Sequence, residues 1–506
     1  MKILSTLSPG NAAVQNRESY YRALMAKDTR FDGVFFTGVK TTGIYCRPVC
    51  SVKTPRASSC EFFTSAAAAE AAGFRPCLRC RPELAPYAIQ QNLAYAVWQK
   101  IAAGELNHRS DTNGLENLSK AVGLSSRQLR RVLFQHFGVS PIELAQTQRL
   151  LFAKKLLQET TLSMTDVAYA SGFGSVRRFN ALFLSRYGLA PSDIRRSAQT
   201  SDGMPSDAMT LRLAYRPPYD WPTMLTYLSG RAILGVEVVD TSAQSGSYAR
   251  SVRIGATEGW LRVTHLPDKQ LVQLDIAHTL IPVSMQLISR VRHQFDLDAN
   301  PAIVEAHLRS DPVLAKKMRT KSGVRVTGAF DFFEIAVRAI LGQQISVAGA
   351  TTLSGRLVQK FGEPIHTSIA GITHHFPQAE LLASLPVADI AQIGLPNKRA
   401  ETIRNLAQFT AQGGFNIKPG APLDQTISHL KTVQGIGDWT AQYIALRALR
   451  FPDAFPAGDL GLQKAMANND AANTPSSTRL TEKQLALRAT AWAPWRGYAA
   501  FILWNS

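Results

Sequence analysis

A chain of 506 residues is too long for one hydrophobic core and implies about three or four domains. Its 45% hydrophobic and 18% charged residues form an ordinary globular balance, which excludes wholesale disorder. No apolar stretch approaches the roughly 18 residues of a membrane span, and the N-terminal segment lacks the apolar core and cleavage site of a signal peptide, so a cytoplasmic protein is expected. The charge is uneven: residues 1–200 hold 26 Lys/Arg against 13 Asp/Glu, placing +13 of the net +19 there and +6 in the rest. A basic amino-terminal part predicts a polyanionic partner.

All five cysteines fall within the first 80 residues. Cys46 and Cys50 pair inside GIYCRPVC, and Cys77 and Cys80 inside FRPCLRC, with 26 residues between the pairs. In a cytosolic chain such pairs read as a metal site rather than a disulfide framework, and the spacing suits one tetrahedral Zn2+ held by Cys46, Cys50, Cys77 and Cys80. Cys60 stands alone and reads as a small buried apolar side chain. The Pro-containing segment Arg81–Pro86 closes this region.

The run TTGIYCRPVCSVKTP, followed by AAGFRPCLRCRPE, resembles the N-terminal domain of the bacterial Ada adaptive-response proteins. The resemblance implies that Cys46 takes a methyl group from a methylated backbone phosphotriester. Zinc keeps the thiol deprotonated, so the attacking sulfur is a thiolate without a general base. Methylating one of four thiolates removes one negative charge, so repulsion of DNA phosphates falls and promoter binding is expected to tighten. Arg47, Arg75, Arg79 and Arg81 supply basic surroundings.

Next comes a helical, basic stretch with two successive helix-turn-helix patterns, Leu115–Phe137 and Met164–Tyr187. In the first, a turn at Val122-Gly123-Leu124 leads into a helix capped by Ser125 that carries Arg127, Gln128, Arg130 and Arg131 near its start. In the second, Gly172-Phe173-Gly174 precedes a helix with Ser175, Arg177, Arg178 and Asn180. These are positions from which a recognition helix meets base edges and phosphates. With matching endings at Phe137–Pro141 and Tyr187–Pro191, the tandem resembles the DNA-binding domain of AraC-type regulators, which implies promoter DNA and RNA polymerase as partners.

A polar linker, Ser197–Met209, is expected to separate the two halves. From Thr210 to about Arg325, alternating runs such as SYARSVRIG and GWLRVTHL mix with helical ones such as Pro282–Phe295, predicting a sheet with helices packed on it. Beyond Asp331 helical spacing dominates.

Within that helical part, LKTVQGIGDWTAQYIALRAL has the form of a helix-hairpin-helix. Gly435 and Gly437 are expected to allow a tight turn, so that exposed amides meet a DNA phosphate at a helix N-terminus that includes Thr440. FPAGDLGLQKA then places Asp459 on a short loop leading into a helix, where it also suits an N-cap. With RAILGQQISVAGA, IGLPNKRAETIRNLA, WAPWRGYAAFILW and PPYDWPTMLTYL, this half resembles bacterial 3-methyladenine DNA glycosylase II.

That resemblance implies Asp459 as the catalytic carboxylate, a base pocket of Tyr227, Trp439, Tyr443 and Trp504, and a monovalent cation on the carbonyls of Lys431, Val433 and Ile436. Trp439 stands where lyase-type relatives carry a lysine, so no Schiff-base nucleophile is available there and a monofunctional enzyme follows. Gln344 stands where some relatives use Leu as the wedge filling the vacated base space.

The expected fold is therefore multidomain α+β. It comprises a small four-cysteine zinc domain (1–86), an all-α double helix-turn-helix domain (87–200), a mixed sheet-plus-helix domain (209–325) and an all-α helix-hairpin-helix glycosylase domain (326–506). The functional reading is a fused regulator and repair enzyme, monomeric and nucleoid-associated, acting on double-stranded alkylated DNA. The alternative is a transcription factor whose carboxy-terminal half senses damaged DNA without catalysis; an intact Asp459 favours the enzyme. An alkylguanine methyltransferase, as in longer Ada proteins, lacks its Pro-Cys-His-Arg motif, and no cysteine follows Cys80.

Overall fold

The computed structural model describes residues 17–86, 93–107, 111–196, 208–242, 246–415, 417, 421–470 and 480–505. Its contacts gather into two compact units. One holds the described residues up to Arg216 together with Ala277–Ser289, and the other holds Pro217–Ile276, Arg290–Ile417 and the residues from Ala421 on.

In the first unit, the cysteine region builds a four-stranded sheet that the sequence pattern did not announce. Its order is Cys60–Phe63, Phe36–Val39, Ile44–Cys46, Arg75–Pro76. The first two neighbouring pairs are antiparallel, and Ile44–Cys46 runs parallel to Arg75–Pro76, which brings the two cysteine pairs to one end of the sheet.

Both helix-turn-helix patterns form as expected. Ser125 caps Ser126–Phe137 in a capping box with Gln128, and Ser175 caps Val176–Tyr187 through the Arg178 amide. Each helix buries one stripe, Leu129, Leu133 and Phe137 in the first and Phe179, Phe183 and Tyr187 in the second. Each ends on a left-handed glycine, Gly138 or Gly188.

Between the two motifs runs the 19-residue helix Pro141–Glu159, buried nearly all round. Its Lys154 and Lys155 are tolerated inside because Lys154 pairs with Glu83 at 2.6 Å and Lys155 with Glu159 at 2.9 Å, while Arg81 reaches Glu159 at 2.6 Å. The linker expected over Ser197–Met209 ends sooner than Met209. That residue is buried in the strand Ala208–Ala214, whose alternating pattern continues from TLRLA, and residues 197–207 lie outside the described residues.

In the second unit, Glu237–Asp240, Ser247–Ile254, Thr257–Leu266 and Leu271–Ala277 pair antiparallel in sequence order. Ile254 faces Thr257 across a two-residue turn in which Gly255 takes φ 61°, a position that favours glycine. The remaining elements are helical as expected. Phe332–Leu341 is their centre: it packs against Asn397–Ala411 and Asp438–Arg447 and is tied to the sheet by buried pairs, Arg250–Glu334 at 2.5 Å and Arg338–Glu237 at 3.0 Å. Among the described residues no helix is long and apolar enough to cross a membrane.

Candidate metal centre, DNA-reading helices and glycosylase site

Cys46 ends its strand, and the Cys50 amide turns back onto the Arg47 carbonyl at 3.2 Å. Across the parallel pairing the Cys77 amide bonds the Tyr45 carbonyl at 3.0 Å, and the Cys80 amide points at the Cys77 Sγ at 3.5 Å. The sulfurs of Cys46, Cys50, Cys77 and Cys80 all lie within 4.8 Å of one another. Tetrahedral zinc–thiolate geometry needs sulfurs about 3.8 Å apart, so these four fit a zinc ion. Cys60 stays outside the cluster, buried, its thiol on the Arg56 carbonyl.

Cys46 and Cys50 line a small open recess with Leu24, Thr37, Val39 and Thr54. Thr37 faces Cys46 in register, and its buried hydroxyl has no hydrogen-bond partner among the described residues. The basic surroundings need correcting. Arg47 is buried in an ion pair with Asp32, and Arg81 is held by Glu83 and Glu159, so neither guanidinium is presented to a phosphate. Arg75 and Arg79 remain exposed.

On the two recognition helices Arg127, Arg130, Arg131, Arg177 and Arg178 are all exposed. Each lies within the first two turns of its helix.

In the second unit, the hairpin joins Leu423–Leu430 to Asp438–Arg447. Gly435 takes φ 93°, and a Cβ there would lie 2.0 Å from the Thr402 Oγ1, so only glycine fits. Gly437 differs from expectation: its backbone is extended, at φ −88°, and a Cβ would meet nothing within 4 Å. The space beside it is open, and no strained turn calls for glycine there. The Thr440 hydroxyl is buried and accepts from Gln343 Nε2 at 2.9 Å, so only its backbone amide is left for a phosphate. Gln343 also donates to the Gly435 carbonyl at 3.3 Å, fastening the adjoining loop to the hairpin. On that loop Gln344 is exposed at φ 57°. The Val433 carbonyl already accepts the Ile436 amide at 3.0 Å.

Asp459 begins the helix Leu460–Asp470, and its Oδ1 accepts the Leu462 amide at 3.0 Å, an N-cap. The same carboxylate accepts two indole N–H groups, from Trp439 onto Oδ2 at 3.0 Å and from Trp504 onto Oδ1 at 2.9 Å. Trp439 stacks on Tyr443 at 5.4 Å, and Tyr443 meets Trp504 at 6.2 Å. Two of the four expected pocket aromatics, Trp439 and Trp504, therefore bond Asp459 directly, and a third, Tyr443, packs against both of them.

The fourth, Tyr227, is joined through Arg447, which donates to the Tyr227 hydroxyl at 2.8 Å and to the Tyr443 hydroxyl at 2.5 Å. Burial pushes the Tyr227 phenol up to about 12. Burial acts the same way on Tyr443, but Arg447, Arg231 and Arg338 outweigh it and hold that phenol below its usual range. Sequence reasoning missed Arg447 and Gln343. The signal for Arg447 was its spacing, four residues after Tyr443 and eight after Trp439 on one helix face.

A four-thiolate metal module and paired DNA-reading helices stand in one unit, and a helix-hairpin-helix fold with a carboxylate in an aromatic pocket stands in the other. Together they define a fusion of a regulator with a base-excision enzyme. Family models match segment by segment: the metal binding domain of Ada over residues 19–83, a helix-turn-helix domain over 118–197, the AlkA N-terminal domain over 210–331, and the HhH-GPD superfamily of base excision DNA repair proteins over 337–489. The chain is 37% identical over 495 residues to a probable bifunctional transcriptional activator/DNA repair enzyme AlkA of Mycobacterium tuberculosis (strain ATCC 25618 / H37Rv), covering 97% of this chain and 96% of that protein. It belongs to that family of bifunctional AlkA proteins. It is also similar to DNA-3-methyladenine glycosylase 2 of Escherichia coli (strain K12), 33% identical over 58% of this chain and 95% of that one. The bifunctional transcriptional activator/DNA repair enzyme Ada of the same organism is 37% identical over 24% of this chain and 33% of its own length.

Proposed function

We propose that this chain excises alkylated bases from double-stranded DNA by hydrolysis and, through its other half, senses the same damage and regulates transcription. The observation that carries the enzyme reading is Asp459, a carboxylate held by three N–H donors beside stacked aromatic rings. An N-alkylated purine is already cationic and leaves readily, so the enzyme has mainly to stabilise charge growing on the deoxyribose and to admit water. The damaged nucleotide is flipped from the duplex into a pocket of Tyr227, Trp439, Tyr443 and Trp504, whose faces favour a cationic base. The glycosidic electron pair leaves with the base, Asp459 stabilises the sugar cation, and a water adds to the sugar carbon while the carboxylate receives its proton. The hairpin around Gly435 and Gly437 and the Thr440 amide hold the DNA backbone, with Gln344 filling the vacated space and the carbonyls of Lys431, Val433 and Ile436 holding a monovalent cation.

For the other half, the four sulfurs hold zinc and Cys46 is the methyl acceptor. Its sulfur attacks the methyl carbon of a phosphotriester, and the phosphate leaves as a diester. The recess beside Cys46 gives the methyl group a place to approach. Arg127, Arg130, Arg131, Arg177 and Arg178 then bind the promoter more tightly. The working segments are 1–86, 87–200, 209–325 and 326–506; the protein acts as a monomer in the cytoplasm at the nucleoid and engages RNA polymerase.

The full chain incubated with methylated duplex DNA should release free 3-methyladenine without cutting the strand and without a borohydride-trapped adduct, because Trp439 offers no amine. Binding without base release would favour the non-catalytic sensor. Mass spectrometry of the recovered protein should place one methyl group on Cys46 and none on Cys60; a methyl elsewhere, or none with zinc bound, would leave a structural zinc module.

A further inference from the structure

Arg447 is only 3% exposed, and among the described residues it meets no carboxylate. Its donors go to the carbonyls of Thr327 and Gly328 and to the hydroxyls of Tyr227 and Tyr443, all neutral. Two neighbouring buried arginines are neutralised, Arg250 by Glu334 and Arg338 by Glu237. A guanidinium stays charged in proteins, and a buried charge without a counter-ion is costly. The glycosylase fold therefore holds a positive charge with no counter-ion among the described residues against the hydroxyls of Tyr227 and Tyr443, and the Asp459 carboxylate lies at the other end of the Trp439–Tyr443 stack.

We propose that Arg447 is a positioning residue that drives base departure through its charge, forming with Asp459 a fixed field along the path the charge travels. The inference rests on the glycosylase reading above. When the bond between the sugar carbon and the base nitrogen breaks, its electron pair goes to the base. A cationic alkylated base becomes neutral and the sugar becomes positive. Positive charge behind the base raises the energy of the bound cation but not of the neutral leaving base, and negative charge beside the sugar lowers the energy of the new cation. Both ends push charge from base to sugar, and neither has to reorganise during the reaction. The cost is weaker ground-state binding of a cationic base, a trade between binding and rate in which only the transition state benefits. The tyrosines transmit this arrangement, since the hydroxyls of Tyr227 and Tyr443 fix where the guanidinium sits relative to the rings.

The test compares Arg447→Met, which removes the charge, with Arg447→Lys, which loses most of the hydrogen bonds but keeps it. Single-turnover excision and the dissociation constant would be measured on duplexes containing cationic 7-methylguanine or neutral hypoxanthine. Arg447→Met should slow excision about tenfold or more. It should also bind the 7-methylguanine duplex more tightly than wild type, with no such gain for hypoxanthine, and Arg447→Lys should restore most of the rate. Weaker binding of both duplexes with no rescue by lysine would overturn the proposal and leave Arg447 as a brace for the tyrosines. Should Arg447→Met fail to fold, Arg447→Lys alone decides: a retained rate supports the field, and a lost rate in a folded variant refutes it. A wild-type protein that releases neither base would instead sink the glycosylase reading itself.

Discussion

Beneath the cysteine sheet, Arg81, Glu83, Lys154, Lys155 and Glu159 are buried as one network in which each charge meets an opposite one. Around the glycosylase pocket, Asp459 meets three N–H dipoles and Arg447 meets four neutral oxygens. The first arrangement cancels its field and serves as scaffold. The second leaves its field standing, where a reaction that moves charge can use it. Side chains of the same kind thus do different work according to whether their partners carry charge, and the contrast can be broken or sharpened by measurement.

Zinc carries the largest expected effect. The cysteine sheet is small, and a four-thiolate site contributes folding energy on the order of 10 kcal/mol. Metal analysis should find one zinc per chain. Cys77→Ser or a strong chelator should remove it and abolish the melting transition of the first unit; an unchanged transition would show that the sheet stands without metal.

Glu70 stands between the two modes of handling charge. Buried, it accepts from the hydroxyls of Tyr45, Thr147 and Tyr187, and burial pushes its carboxyl up to about 7 against the opposing pull of those hydroxyls and of Arg186. The folded state therefore holds a proton that the unfolded chain releases near pH 4.5, so stability falls as pH rises from about 4.5 to about 7, by on the order of 3 kcal/mol. Melting temperatures of the first unit should follow that slope, and Glu70→Gln should flatten it and be the more stable protein at pH 8. A wild-type melting temperature flat across that window would contradict the assignment.

A smaller effect is expected at the indoles. Trp439→Phe or Trp504→Phe removes one donor to the Asp459 carboxylate, worth about 1.5–3 kcal/mol for a charge-assisted bond, so excision should slow roughly ten- to a hundredfold. Each substitution also thins the aromatic pocket, and binding of a duplex with an abasic site separates the two effects: it should be unchanged if the hydrogen bond is what matters.

How much of this could be read in advance follows from how local each signal is. The cap Ser125, the cysteine pairs and the Asp459 loop are short-range patterns whose physics lies within a few residues, and each formed as the sequence implied. Gly435 was legible as a hairpin glycine, and its φ of 93° is that tight turn, but the second reason that only glycine fits, the side chain of Thr402, lies 33 positions away. Gly437 was misread for the same cause, since the open space beside it is a property of the assembled fold. The burial of Arg47 and Arg81 depends on Asp32 and Glu159, which no spacing rule connects to the cysteines. Nor could a linear pattern show that Trp439 and Trp504, far apart in the chain, would both turn their N–H groups onto one carboxylate.

The central claim, that a negative charge at Asp459 stabilises the sugar cation, is tested most directly by Asp459→Asn. Asparagine can keep on its one oxygen the N-cap bond to Leu462 and the bond from the Trp504 indole, while losing the charge and the acceptor for Trp439. On methylated duplex DNA the account predicts that release of 3-methyladenine falls by on the order of a hundredfold or more, with affinity for the damaged duplex changing far less. Near-normal release by a correctly folded Asp459→Asn protein would contradict it.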